Sequence, residues 1–497
     1  MNIAVSNKLL SQAKWTVFIR VIIGALAGLI AGLLYGVLLN SQHMSPLMNA
    51  VDIPGDQLTH LLLSILVGVG FGFAFGERAT TAGTSFLWGI VAGLIWWLLG
   101  PLTLFPLMHG IRPDWAITSA RQAFPLLVGL AVAYGAFMGL LYSGFYWFYQ
   151  NRTTPHLARQ ILLRLVQALV SGGIAGLLGG VVFGGWMAQA GFYPLVAGLV
   201  NSNDPVTGQW LHLLISVLIG SSYGLLFRHD ISRTGSSIAW GVVYGLVWWI
   251  LGPLTLMPWL LGQGVQWTIT AAQNVFPSLI GHVIYGVVLG MTYATLNQIW
   301  RTLFVDSDPL TREPEGPGTR TLRSLGLGAV ASVAGGLVFT IVMVATDTLP
   351  KVANIIGMTT PLEGFVVHMV ISILIGASYG LLFRREATTP TLAFGWGLVY
   401  GLVWWFLGPL TLFPLLLGQP IQWSLDAALQ VYPSLIGHLA YGVVLALGYY
   451  WLLRRYDIGR MLPKSDLMSD QASSSAYPAL SFLVLLLTLF LLLILAH

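Results

Sequence analysis

Five histidines are the side chains in this sequence best placed to do chemistry: His60, His212 and His368 at one recurring place, His282 and His438 at another. Each heads a stripe of small residues at helical spacing. The first set reads His60, Ser64, Gly68, Gly72, then His212, Ser216, Gly220, Gly224, then His368, Ser372, Gly376, Gly380. The second reads His282, Gly286, Gly290 and His438, Gly442, Ala446. An ionisable side chain inside an apolar helix is a functional candidate by default. Three chemistries compete for it. A neutral imidazole can donate to a backbone carbonyl, which is the preferred reading. It can handle protons or ions, since histidine titrates near neutral pH. Two imidazoles at similar depth can also ligate haem or a metal. Tight glycine packing leaves little room for a porphyrin. A metal would need further ligands, and only Asp56, Asp204 and Glu363 lie near the helix starts. No cofactor is therefore predicted, b-type haem being the minority alternative and any metal being unknown. If the stripes pack on one another, the two imidazoles meet where they end, except in the first copy, where Leu130 replaces the second histidine and the pair Tyr134-Gly135 is shifted by one residue.

A second feature recurs with them. WWLLGPLTLFP (96–106), WWILGPLTLMP (248–258) and WWFLGPLTLFP (404–414) each place Gly-Pro inside an apolar run, at Gly100-Pro101, Gly252-Pro253 and Gly408-Pro409. Proline offers no N–H to the carbonyl four residues back and pushes against it, so a helix break is expected here. In hydrocarbon the freed carbonyl must find another partner, and Thr103, Thr255 and Thr411 lie close enough to help. The break either forms a substrate site of the transporter kind or is a kink that turns the chain, and the kink is preferred. Downstream, 114–130, 266–282 and 422–438 align, carrying Trp115, Trp267, Trp423 and the amides Gln122, Asn274, Gln430. These predict short amphipathic helices, interfacial anchors in preference to a lid.

The elements that hold these residues follow from composition and repetition. Of 497 residues 56% are hydrophobic and 8% charged, and the mean hydropathy is +0.80. A soluble domain is roughly a quarter charged, so this surface is not solvated in the ordinary way. Apolar runs of about 20 residues, the length that crosses hydrocarbon, recur throughout. His212–Leu296 repeats at His368–Leu452 with an offset of 156; the first copy lies 152 residues before the second, or 148 in its opening helix. The expected fold is all-α: a polytopic bundle of three parallel four-helix repeats (1–156, 157–312, 313–456), a linker 457–478 and a charge-free helix 479–497, about thirteen spans. The first helices carry Gly24, Gly28, Gly32, Gly36 and Gly172, Gly176, Gly180, Gly184, a packing device. The opening run aligns with interior helices, so it is read as part of the fold and not as a cleaved signal.

With the N-terminus cytoplasmic, 19 of the 22 basic residues fall inside and only Arg112, Arg121 and Lys351 outside, as the positive-inside rule requires. Cysteine is absent, which removes disulfides and thiol chemistry. No phosphate loop, dinucleotide fingerprint or HExxH is present, so an ATP-driven pump is excluded, no catalytic residue is assigned and the balance falls against an enzyme. The high isoelectric point reflects cytoplasmic loops and not nucleic-acid binding.

The stretches HLLISVLIGSSYG (212–224), WGVVYGLVWW (240–249), MPWLLG (257–262) and GHVIYG (281–286) resemble the YagU-type bacterial inner-membrane proteins. In that family the unit occurs once; here it would occur three times. The resemblance implies a bacterial plasma-membrane location and this helical unit, and supplies no reaction. His212, His282, His368 and His438 are the positions it carries over. Three functions are weighed: first a channel or transporter for a small solute or ion through a pseudo-threefold bundle, then a non-catalytic scaffold whose helix 479–497 docks a membrane partner, then a redox subunit holding b-type haem between His212 and His282 and between His368 and His438. The lipid bilayer is a partner under all three.

Overall fold

The computed structural model describes residues 3–39, 57–151, 158–231, 234–304, 317–384, 386–459 and 476–495. All its regular elements are helical, and no strand occurs among the described residues. The long helices are α1 (Ile3–Leu39), α2 (Gln57–Ala74), α3 (Ala82–Leu99), α4 (Phe124–Val128, continuing through Gly129–Ala136 into Phe137–Asn151), α5 (Ala158–Gln189), α6 (Pro205–Phe227), α7 (Thr234–Leu251), α8 (Phe276–Phe304), α9 (Pro317–Ala345), α10 (Pro361–Phe383), α11 (Pro390–Leu407), α12 (Tyr432–Gly459) and α13 (Ala476–Leu495). Eleven helices among the described residues are long and apolar enough to cross a membrane; α2 and α13 are shorter apolar helices at the other two expected spans. The chain is a multi-pass integral membrane protein. Its exposed leucines and valines, such as Leu62, Leu66, Val181 and Leu218, lie where lipid must cover them.

Packing follows from the small-residue stripes. α1 packs on α2, α5 on α6 and α9 on α10; α1 on α4, α5 on α8 and α9 on α12; α3 on α4, α7 on α8 and α11 on α12. In each group of four the spatial order is therefore second, first, fourth, third. A Cβ at Gly68 would strike the carbonyl of Gly24, one at Gly220 that of Gly172, and one at Gly376 would meet both Gly328 and Ser332. Backbones this close gain van der Waals contact that Leu-to-lipid contact does not supply. α3 also touches α6, and α7 touches α10, which links successive groups.

Helix starts are capped by short polar groups. Asp204 accepts from the Thr207 amide at 2.8 Å and its hydroxyl at 2.7 Å, with Pro205 at the first helical position. Glu363 closes a capping box with Thr360, accepting from its hydroxyl at 2.6 Å. Both carboxylates thus serve as caps, while Asp56 lies outside the described residues, as do 460–475, most of the expected linker. The far ends of the third helices stop at Gly110, Gly262 and Gly418, with φ between +72° and +75°, the left-handed region glycine occupies at no steric cost.

The last helix is not peripheral. α13 packs against α3, α7 and α11, the third helix of every group. Leu483 and Ile494 are fully buried, and Phe490 lies edge-on to both Phe124 and Trp249 at 5.7 and 6.3 Å. The helix expected to offer itself to a partner is largely occupied within its own chain.

Candidate functional site

His60, His212 and His368 all make one contact. Their Nε2 atoms lie 2.9, 3.0 and 3.0 Å from the carbonyls of Gly32, Gly180 and Gly336 on the neighbouring first helix. A carbonyl only accepts, so Nε2 carries the hydrogen and donates it. The carbonyl four residues on is held as well: Tyr134, Tyr285 and Tyr441 donate their hydroxyls to Ser64, Ser216 and Ser372 at 2.7, 2.8 and 2.7 Å. One turn of the second helix is thus tied to both neighbours.

The second pair behaves differently. His282 and His438 donate from Nδ1 to Ser278 and Ser434 of their own helix, at 2.7 and 2.8 Å. Their Nε2 atoms stand 3.8 and 3.4 Å from where a Cβ would be at Gly252 and Gly408. A Cβ there would sit in ordinary van der Waals contact, so the imidazole does not require glycine at these positions. The two imidazoles of a group share a phenyl ring. Phe183 stands edge-on to both His212 and His282 at 5.6 and 5.0 Å, and Phe339 to His368 and His438 at 5.2 and 4.6 Å. Nε2 of His212 and His368 is engaged by a backbone carbonyl, which does not suit axial ligation of a porphyrin. Among the described residues no three acidic or histidine side chains gather as a metal-ligand group.

At Gly100-Pro101, Gly252-Pro253 and Gly408-Pro409 the helix does not break. It widens into π turns, Gly100–Leu104, Gly252–Leu256 and Gly408–Leu412, and resumes as α-helix. A wider turn accommodates a proline ring that would strain an α-turn. The threonines help, one residue away from the expected place: Thr103, Thr255 and Thr411 donate to Leu98, Ile250 and Phe406, five residues back, at 2.7, 2.8 and 2.8 Å. Each hydroxyl then accepts the indole N–H of Trp115, Trp267 or Trp423 at 3.1, 2.8 and 2.8 Å. The preceding tryptophans Trp97, Trp249 and Trp405 donate to Ala123, Val275 and Val431 at 2.9, 3.1 and 3.1 Å. The expected short helices exist, at Ile117–Gln122, Ile269–Asn274 and Leu425–Gln430. Their leading indoles are fixed to the third helix, and Trp267 and Trp423 are buried while Trp115 is exposed, so the last two do not serve as interfacial anchors.

No family model matches this chain, and neither a curated protein nor a solved structure matches it.

Two acidic residues escaped the sequence reading. Asp230 is 2% exposed and accepts from Thr81 Oγ1 at 2.6 Å, at the start of α3 in the preceding group. Burial pushes its carboxyl up to about 7, against the Thr81 hydrogen bond and the Arg228 charge, which pull it down. Glu386 is 4% exposed and accepts from the Ser236 amide at 3.2 Å, at the start of α7. An acidic side chain at a helix N-terminus is favoured by the helix dipole. In the first group Arg78 holds the corresponding position, with its guanidinium 5.7 Å from the Trp88 ring centre. The signal was present in the alignment of FGERATT, FRHDISR and FRREATT (75–81, 227–233, 383–389).

Proposed function

We propose that this is a non-catalytic bacterial plasma-membrane protein that works through its lipid-facing surface as a scaffold. Three parallel four-helix units surround the C-terminal helix, with the N-terminus cytoplasmic. The 19-to-3 division of basic residues supports the orientation, and the resemblance to YagU-type proteins supports the location. The observation that carries the functional reading is the place of α13, against the third helix of every unit, where a pseudo-threefold pore would run. The polar side chains support it too. His60, His212, His368 and the tyrosines beside them spend their hydrogen bonds on backbone carbonyls of adjacent helices, which is how polar residues hold membrane bundles together.

Transport of a small solute or ion ranks second, favoured by a small cavity at His60 and Pro101 in the first unit. Proton flux into liposomes carrying the purified protein, read with a trapped pH dye, separates the two. The scaffold reading expects flux equal to that of empty liposomes. Flux that rises with protein content and is lost in His212→Ala and His368→Ala would replace it with transport.

A further inference from the structure

Successive groups of four helices are joined in the same way twice. Asp230 reaches across to the start of α3, and Glu386 to the start of α7. Each acidic side chain lies over a glycine of the first turn. A Cβ at Gly83 would stand 2.5 Å from Asp230 Oδ2, and one at Gly235 2.5 Å from Glu386 Cγ. Phe86 of α3 also lies edge-on to Phe227 of α6, 6.4 Å away.

The third group has the corresponding face and leaves it uncovered. Phe86 and Ile238 are buried, but Phe394, their counterpart on α11, is 47% exposed. On the fourth helices Phe124, Val128, Phe276 and Ile280 are fully buried, while Tyr432 is 46% and Ile436 59% exposed. A second copy of the chain suits this face poorly. The copy's own unused joining position carries Arg78 in place of the acid, and a helix N-terminus disfavours a cation. On α11 an exposed threonine, Thr391, stands where Gly83 and Gly235 admit the acid.

Beside this face runs a groove of about 600 Å³ between α11, α12 and α13, with Leu402, Leu439 and Leu495 among its walls. Its size is that of small-ligand sites, roughly 300–1,000 Å³. Apart from Tyr432 and Thr488, every lining residue is leucine or valine. Along α13 the groove extends from Val484 to Leu495, about 16 Å at the helical rise. That is the depth of one leaflet, half of a hydrocarbon core of roughly 30 Å. One end lies between the first residue of α12, Tyr432, and the last of α13, Leu495, and tyrosine favours the membrane–water boundary.

We propose that this groove binds one acyl chain of a phospholipid, from the leaflet that the C-terminal end of α13 enters, with Tyr432 at the level of the lipid's ester groups. It gives the lipid-facing surface of the scaffold reading one defined site, and rests on that reading's placement of α13. The readout is lipid held, which is separate from the flux that decides between scaffold and transport.

Single-particle maps of the full chain in nanodiscs of phosphatidylethanolamine and phosphatidylglycerol test this. The expected result is one rod of density along the groove, lost in Leu492→Trp, which fills it from an exposed position. Density no more ordered than along the rest of the lipid-facing surface, density that persists in Leu492→Trp, or a helix of a second copy in the groove overturns it. Mass spectrometry of lipid retained after detergent washing gives a second reading. Leu492→Trp should hold one phospholipid fewer per chain than Leu485→Trp, which is exposed on the same helix outside the groove lining. Equal retention in the two variants also overturns the proposal.

Discussion

The indole N–H of Trp267 donates to Thr255 Oγ1 over 2.8 Å, and the same hydroxyl donates to the carbonyl of Ile250. One threonine thereby anchors the segment before α8 to the widened turn of the third helix. Its isostere removes both bonds without changing volume. Thr255→Val should destabilise by about 1–3 kcal/mol, because it strands a buried indole N–H and a carbonyl. Thr255→Ser should retain most of the stability. Thermal midpoints in detergent compare them, and the Trp115 to Thr103 version, being exposed, should cost less when Thr103→Val is made.

The second-helix histidines act as interhelical ties. His212→Ala leaves Gly180 without its donor, and measured interhelical bonds in membranes are worth about 0.6 kcal/mol on average and about 1.7 at most. A loss in that range is expected from chemical or thermal unfolding. Absorption spectra of oxidised and dithionite-reduced protein should show only aromatic bands, unchanged in His282→Ala and His438→Ala. A Soret band lost in those variants would contradict the Nε2 bonds of His212 and His368 to backbone carbonyls.

Asp230 supplies a pH dependence. Its carboxyl is raised by burial to about 7 when folded, so the fold favours the protonated form. Its contribution is greatest below the ordinary carboxylate range near 4, falls as pH rises from there to about 7, and is level above, at about 1.4 kcal/mol for each unit of raised pKa at most. Asp230→Asn keeps an acceptor for Thr81 and cannot ionise. It should raise the midpoint at pH 8 and flatten the slope between pH 4 and 7. An unchanged slope would show that Asp230 stays ionised in the fold.

The stripes at His212–Gly224 and the run of Gly172 to Gly184 were legible because small residues every fourth position have one strong use in a membrane. That Phe183 packs on both His212 and His282 is not legible, because in the letters it looks like any apolar residue. The Gly-Pro pairs predict breaks because proline's effect on an α-turn follows from sequence, whereas the π turn is held partly by a tryptophan that arrives from the following segment. Tyr134 is the clearest case. The sequence showed it one residue out of register; the structure absorbs the extra residue in a π stretch, Gly129–Ala136, and delivers the hydroxyl to Ser64 as Tyr285 delivers its own to Ser216. The place of α13 could not be read at all, since a uniformly apolar helix carries no stripe to say which side faces protein.

The packing of α13 on the third helices places residues of the two elements within disulfide reach. A Cβ at Gly395 of α11 would stand 3.2 Å from Leu480 Cγ of α13, and the chain has no cysteine to interfere. Gly395→Cys with Leu480→Cys, oxidised in intact membranes, should form an intramolecular disulfide rapidly, while Gly395→Cys with Leu485→Cys, on an exposed part of α13, should not. The reverse pattern, or no disulfide in either, would put α13 away from the third helices and reopen the axis as a path.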